Sequence, residues 1–306
     1  MVDLSTNLGR RQFANPVFVA SGTFGYGFEV ERLADISKLG AIVTKSVTLE
    51  PRTGNPPPRI VETTGGMINS IGLANVGVER YISDYLPQLQ GGGADFIMNI
   101  AGSTSDEYLK VLEKVEAIST DIAGYEINIS CPNVSEGGME FGVSADQTAR
   151  LTRRLRKRTE RLLIMKLSPN VTDITAIGLA AQDNGADAVS AINTLVGMSI
   201  DINSQRPDIY RTLGGLSGPA IKPVGIASVY KLARKLSIPI IGIGGITSAE
   251  DVIEYTLAGA SAVQIGTANF RDPACGINII NDLRSRLEDS NIDRYQSLIG
   301  QVKTYQ

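Results

Sequence analysis

The chain has 306 residues, and its 29 lysines and arginines against 32 aspartates and glutamates give a net charge of −3. So even a balance argues against nucleic acid or an anionic membrane surface as the main partner. Histidine is absent, which excludes any imidazole base or ligand and leaves acid–base work to Cys, Lys, Asp, Glu or Tyr.

Residues 1–16 read as a small hairpin or lid at the bottom of a barrel, and MVDLSTNLGRRQF lacks the basic-then-apolar layout of a signal peptide. Short apolar runs rich in β-branched residues then recur at 17–20, 41–45, 95–100, 125–129, 162–167, 188–192, 238–243 and 262–266. Helical patterns lie between them, for example at 106–118, 145–158, 174–184, 225–236 and 249–258. Near-continuous apolar strands alternating with helices indicate a parallel sheet covered by helices. Eight strands in a chain of this length favour an α/β (β/α)8 TIM barrel, with a doubly wound open sheet as the alternative.

Two stretches break the repeat. Residues 46–77 and 193–218 are too long and too rich in Gly, Pro and Asn for plain connections, so both are expected to be functional insertions on the C-terminal face. No linker or shift in composition divides the chain, so residues 1–306 read as a single barrel domain. No apolar run approaches a membrane span. The two cysteines, Cys131 and Cys275, form neither a disulfide framework nor a metal-binding CxxC, which fits a cytoplasmic protein without a metal.

Barrel enzymes place their chemistry where strands end. Those ends carry Ser21, Lys45, Ser46, Asn99, Asn128, Lys166, Asn193, Thr194, Gly244, Gly245, Gly266 and Thr267. Lys45 and Lys166 each follow an unbroken apolar run, and a partly desolvated ammonium needs an anion or dipole nearby. The glycines of IGIGGITS and QIGTANF let backbone N–H groups approach an anion, with Thr247, Ser248 or Asp272 as possible helix caps. Loops after strands seven and eight are the usual phosphate site of a barrel. Flavin mononucleotide (FMN) meets these demands: a phosphate for the last loops, and a ring whose negative charge on reduction a lysine such as Lys166 stabilises. Cys131 sits in a polar loop between Asn128 and Asn133, where a thiol near positive charge from Lys45 can act as a base. Cys275 reads as a small buried hydrophobe.

With these residues in view, the sequence resembles the family 1 dihydroorotate dehydrogenases over essentially its whole length. The resemblance is carried by ASGTFGYG, IVTKSVTLEPRTGNPPPRI, MINSIGLAN, EINISCPNVSEGGMEFG, MKLSPNVTDI, INTLVGM, GGLSGPAIKP, IGIGGI and QIGTANF. TLEPRTGNPPPRI and SCPNVSEGGMEFG are more similar to class 1B, the catalytic subunit of the NAD-dependent enzyme, than to the fumarate-reducing class 1A. The resemblance implies oxidation of (S)-dihydroorotate to orotate in pyrimidine (UMP) biosynthesis, with Cys131 as catalytic base. It implies flavin contacts from Ser21, Lys45, Ser46, Asn99, Asn128, Lys166, Ile192, Gly218, Gly244, Gly245, Gly266 and Thr267. Substrate contacts would come from Lys45, Asn69, Ser70, Ile71, Gly72, Leu73, Asn128, Asn133, Asn193 and Thr194.

No dinucleotide-binding βαβ unit appears, and two distant cysteines cannot ligate an iron–sulfur cluster. The resemblance therefore implies a partner subunit carrying FAD and a [2Fe–2S] cluster, in a heterotetramer around a homodimer of this chain. The alternatives are a stand-alone homodimer reducing fumarate, a Schiff-base lyase or aldolase barrel using Lys166 or Lys45, and a flavin-holding barrel without turnover.

Overall fold

The computed structural model describes residues 2–89, 93–118, 121–130 and 141–305. Eight parallel strands close into a barrel, each pairing with the next in the chain and the eighth with the first. They are Val17–Val19, Ala41–Val43, Phe96–Ile100, Gly124–Asn128, Leu162–Leu167, Ala188–Ala191, Ile240–Ile243 and Ala262–Ile265. The expected (β/α)8 barrel is therefore the observed one, and the doubly wound alternative is set aside. The seventh strand starts two residues later than expected, after Pro239, which has no N–H to give to a ladder.

Helices Ser105–Glu116, Ala145–Arg156, Ile174–Gln182, Lys222–Ala233, Ala249–Ala258 and Cys275–Asp289 cover the outside. Side chains at Thr104, Ser144, Asp173 and Ser248 accept from first-turn N–H groups of four of them. The fourth helix begins at Lys222 rather than 225, because Pro223 falls in its first turn, where the missing N–H is harmless.

Alternation along each strand sorts side chains between two cores. Outward-facing Val17, Val19, Ile42, Met98, Tyr125, Ile127, Met165 and Val263 pack under the helices. Inward-facing Phe18, Ala41, Val43, Ile97, Leu162, Ile164, Ala188, Ile241 and Ala262 fill the lower barrel. Leu8 and Phe13 belong to that inner cluster. They come from the antiparallel hairpin of Thr6–Leu8 and Arg11–Phe13, which plugs the bottom as the sequence leads one to expect. The Phe13 ring lies 4.8 Å from that of Phe18. Asp187 pins the turn of the hairpin by pairing with Arg10 at 2.8 Å and Arg156 at 2.7 Å.

The two insertions meet on the opposite face. Ile60–Thr63 and Gly66–Asn69 from the first join Leu195–Gly197 and Gly214–Ser217 from the second in one four-stranded antiparallel sheet. Their register sets Asn69 opposite Gly215, which brings segments far apart in sequence to one edge of the barrel mouth.

Candidate active site

Above the apolar layers the barrel interior turns polar. Asn99, Glu126, Lys166, Ser190 and Gln264 are all buried, with Glu126 at 0% and Lys166 at 6% exposure. Glu126 is the hub. Its Oε1 accepts from Asn99 Nδ2 at 2.8 Å and from Lys166 Nζ at 3.3 Å. Its Oε2 accepts from Ser190 Oγ at 2.8 Å and from Gln264 Nε2 at 2.7 Å. Ser46 Oγ in turn donates to Asn99 Oδ1 at 2.6 Å. Ser46, Asn99 and Lys166 were expected from the sequence, and this network joins all three. Glu126, Ser190 and Gln264 were not. A lone acidic residue inside an apolar strand reads most simply as solvent-facing, and only the alternation phase with Asn128 could have turned it inward.

At the rim, Asn193 Nδ2 donates to Asn128 Oδ1 at 3.2 Å, and Asn193 Oδ1 accepts from the Thr194 amide at 2.8 Å. Asn128, Asn193 and Thr194 are thus brought together. Asn69 Nδ2 donates to the Gly215 carbonyl at 3.3 Å, and the van der Waals envelope of Thr194 crowds Gly215, so Asn69 belongs to the same corner. Asn55 holds the following loop through the carbonyl and hydroxyl of Ser70. The Asn55 amide donates to the Ile71 carbonyl at 3.0 Å. Gly72 and Leu73 both have positive φ, 75° and 56°. For leucine that conformation is costly and is kept where surrounding structure over-determines it, here by Asn75 Nδ2 on the Leu73 carbonyl at 2.7 Å.

Lys45 lies just past the second strand, half-buried, with its amide bonded to the Gly25 carbonyl at 2.9 Å. No carboxylate among the described residues pairs with its ammonium. Ser21 is half-buried in the turn after the first strand. A Cβ added at neighbouring Gly22 would meet nothing within 4 Å, and one at Gly266 nothing nearer than 3.8 Å. The turns after the first and last strands are therefore open rather than packed.

The glycine cradle is closely built. Gly218, Gly244 and Gly245 have φ of 98°, 128° and 70°. A Cβ on Gly245 would stand 2.8 Å from Lys222 Cβ and 2.9 Å from the Gly218 carbonyl oxygen. Thr267 Oγ1 donates to Ser217 Oγ at 2.8 Å, joining the eighth-strand turn to the inserted sheet. Ile192, buried beside the cradle's strand, gives its amide to the Ile243 carbonyl at 3.1 Å. Of the three caps considered, Ser248 is the N-cap, in a capping box with Asp251. Thr247 instead donates to Asp251 through both amide and hydroxyl, at 2.7 and 2.9 Å. Asp272 accepts from the Ala274 amide at 2.9 Å in the turn leading into the last helix, while Ala274 at the N-cap position itself makes no side-chain cap bond. Burial works against the Asp251 carboxylate, yet the Lys222 ammonium at 2.6 Å and the Thr247 bonds outweigh it and lower its pKa.

Cys131 and Asn133 lie outside the described residues. The described chain leaves the fourth strand through Ser130, whose amide bonds to Asn128 Oδ1 and whose buried hydroxyl has no partner among the described residues. Cys275 is half-buried at the head of the last helix, and burial with nearby Asp272 pushes its thiol pKa up. No cluster of metal-ligating side chains occurs among the described residues, and no helix among them is long and apolar enough to cross a membrane.

A closed parallel barrel with its polar and ionised groups gathered under the C-terminal mouth is the architecture of a barrel enzyme. The dihydroorotate dehydrogenase family model matches residues 3–287, and the chain belongs to that family of oxidoreductases. It is 48% identical over 301 residues, 98% of this chain and 99% of the relative, to "Dihydroorotate dehydrogenase B (NAD(+)), catalytic subunit" of Pelobacter propionicus. The same name is carried by a relative in Geotalea daltonii, 48% identical with 98% of each chain covered. So is one in Bacteroides thetaiotaomicron, 45% identical over 99% of this chain and all of the relative.

Proposed function

We propose that the chain oxidises (S)-dihydroorotate to orotate in pyrimidine (UMP) biosynthesis, as the FMN-bearing catalytic subunit of an NAD-dependent enzyme. The observation that carries this is the buried Lys166–Glu126–Asn99 network near the C-terminal ends of the third, fourth and fifth strands, in a chain collinear with the class B catalytic subunits. A buried cation and amide with one side turned away from their carboxylate suit the polar edge of a flavin ring. The cradle at Gly218, Gly244, Gly245, Gly266 and Thr267 suits its phosphate. Bound FMN supplies hydride acceptance, the chemistry that the side chains lack.

The residues divide the remaining work. Ser21, Lys45, Ser46, Asn99, Asn128, Lys166 and Ile192 line the flavin's ring and ribityl side. Lys45, without a carboxylate partner among the described residues, neutralises the substrate carboxylate. Asn69, Asn128, Asn133 and Asn193 donate to and accept from the pyrimidine edges, with Thr194 beside them. Ser70, Ile71, Gly72 and Leu73 wrap the remaining edge. Cys131 takes the proton from carbon 5 of dihydroorotate as the hydride departs carbon 6. Residues 1–306 act as one cytoplasmic barrel domain. Electrons leave to NAD+ through a partner subunit bearing FAD and [2Fe–2S], in a heterotetramer built on a homodimer of this chain.

Anaerobic addition of dihydroorotate to the purified chain tests the reading. A yellow protein that bleaches on addition supports it, and a protein that takes up no flavin on reconstitution refutes it. NAD reduction only with the partner, and none of fumarate by the chain alone, is the expected oxidant pattern.

A further inference from the structure

Glu126 is a carboxylate with no exposure, at the centre of the barrel, and the assigned chemistry does not use it. Its two oxygens have different company. Oε1 faces the two groups turned toward the mouth, Asn99 and Lys166. Oε2 faces Ser190 and Gln264, which belong to the interior and are themselves assigned to no ligand. The lysine charge beneath the mouth is therefore half of a buried ion pair, not a free cation.

We propose that Glu126 sets the redox poise of the site: a positioning residue that orients Lys166 and Asn99 and offsets part of the lysine charge. In a low-dielectric interior that offset is felt over several ångströms. The inference rests on the flavin reading above. An electron-rich, reduced flavin gains from the Lys166 charge and loses from the Glu126 charge, so the carboxylate holds the flavin less easily reduced than Lys166 alone would. Donors at Oε2 spread the negative charge away from Lys166, so Ser190 acts in the opposite sense to Glu126 itself.

The site tolerates the decisive substitution. In Glu126→Gln the amide oxygen still accepts from Lys166 and Asn99. Its new NH2 meets Ser190, a hydroxyl able to accept, and Gln264, whose Oε1 is buried without a partner among the described residues and can be turned inward by an amide flip.

The midpoint potential of the bound flavin is measured by anaerobic dye-coupled reduction in the reconstituted wild type, Glu126→Gln and Ser190→Ala. Glu126→Gln raises the ratio of reduced to oxidised flavin at fixed poise by about tenfold, about 30 mV for a two-electron couple. Ser190→Ala moves it the other way. An unchanged or lowered potential in folded Glu126→Gln overturns the proposal. Should that variant not fold, an unchanged or raised potential in Ser190→Ala overturns it instead. A wild type that binds no flavin refutes the functional reading, whereas a flavin-bearing wild type with indifferent variants refutes only the role of Glu126.

Discussion

Replacing Cys131 tests whether a chain without histidine has recruited a thiol as its base. Cys131→Ala and Cys131→Ser should bind flavin and orotate as the wild type does, while stopped-flow reduction by dihydroorotate slows by about 10²–10⁴-fold, the usual worth of a positioned base. Equal half-reaction rates would sink the assignment. Lys166 makes a second prediction at this scale. Lys166→Met leaves the Glu126 carboxylate buried without its cation, and losing one partner of a buried pair costs about 3–5 kcal/mol. A denaturant midpoint equal to the wild type's would show that the carboxylate finds other compensation. Lysines and asparagines at strand ends were legible because they interrupt apolar runs. Glu126 was not, since one acidic residue in YEINIS has the same look whether it faces solvent or the barrel axis.

At the scale of one loop and its helix, Asp251 holds the turn 244–248 in shape. It accepts from the Thr247 amide and hydroxyl and the Ser248 amide, and pairs with Lys222 and so with the helix behind Gly218. Asp251→Asn weakens the capping box and the ion pair together, and loss of the cap alone costs about 0.5–2 kcal/mol. Because the folded pKa of Asp251 is lowered, its contribution is fully present above the unfolded carboxyl value, near pH 4. It is lost as pH falls through the lower folded value. Melting temperatures of wild type and Asp251→Asn should therefore differ at pH 7 and converge below about pH 4. A constant gap across that window would refute the linkage. Gly245→Ala strains the same loop, with a φ of 70° and Lys222 Cβ 2.8 Å away, and should cost about 1–3 kcal/mol and loosen FMN on dialysis. Thr247 and Ser248 were visible here as candidate caps, but which of them caps depends on helix phase, and Asp251, which binds both, was not singled out.

Across the whole molecule, eight strands were readable because each is buried on both faces and so largely apolar. The inserted four-stranded sheet was not, since Gly66–Asn69 and Gly214–Ser217 pair across about 150 residues and carry too many glycines for alternation to show. The hairpin plug makes a prediction at this scale. Phe13→Ala empties the floor beneath Phe18 and should lower stability by about 3–5 kcal/mol, read as a fall in melting temperature. Flavin reduction in the folded enzyme should stay near wild type, because the polar layer separates floor from mouth. A loss of rate with no loss of stability would contradict that separation.

Glu126 also has a bearing on how the barrel comes together. It sits on the fourth strand, and its donors arrive from the third, fifth, sixth and eighth. A nascent chain that has emerged only through the fourth strand holds an acidic side chain facing an interior not yet walled. The last donor, Gln264, is supplied by the strand that meets the first and closes the cylinder. The polar layer is thus complete only when the circle is, which penalises half-barrels and favours all-or-none assembly of the eight strands.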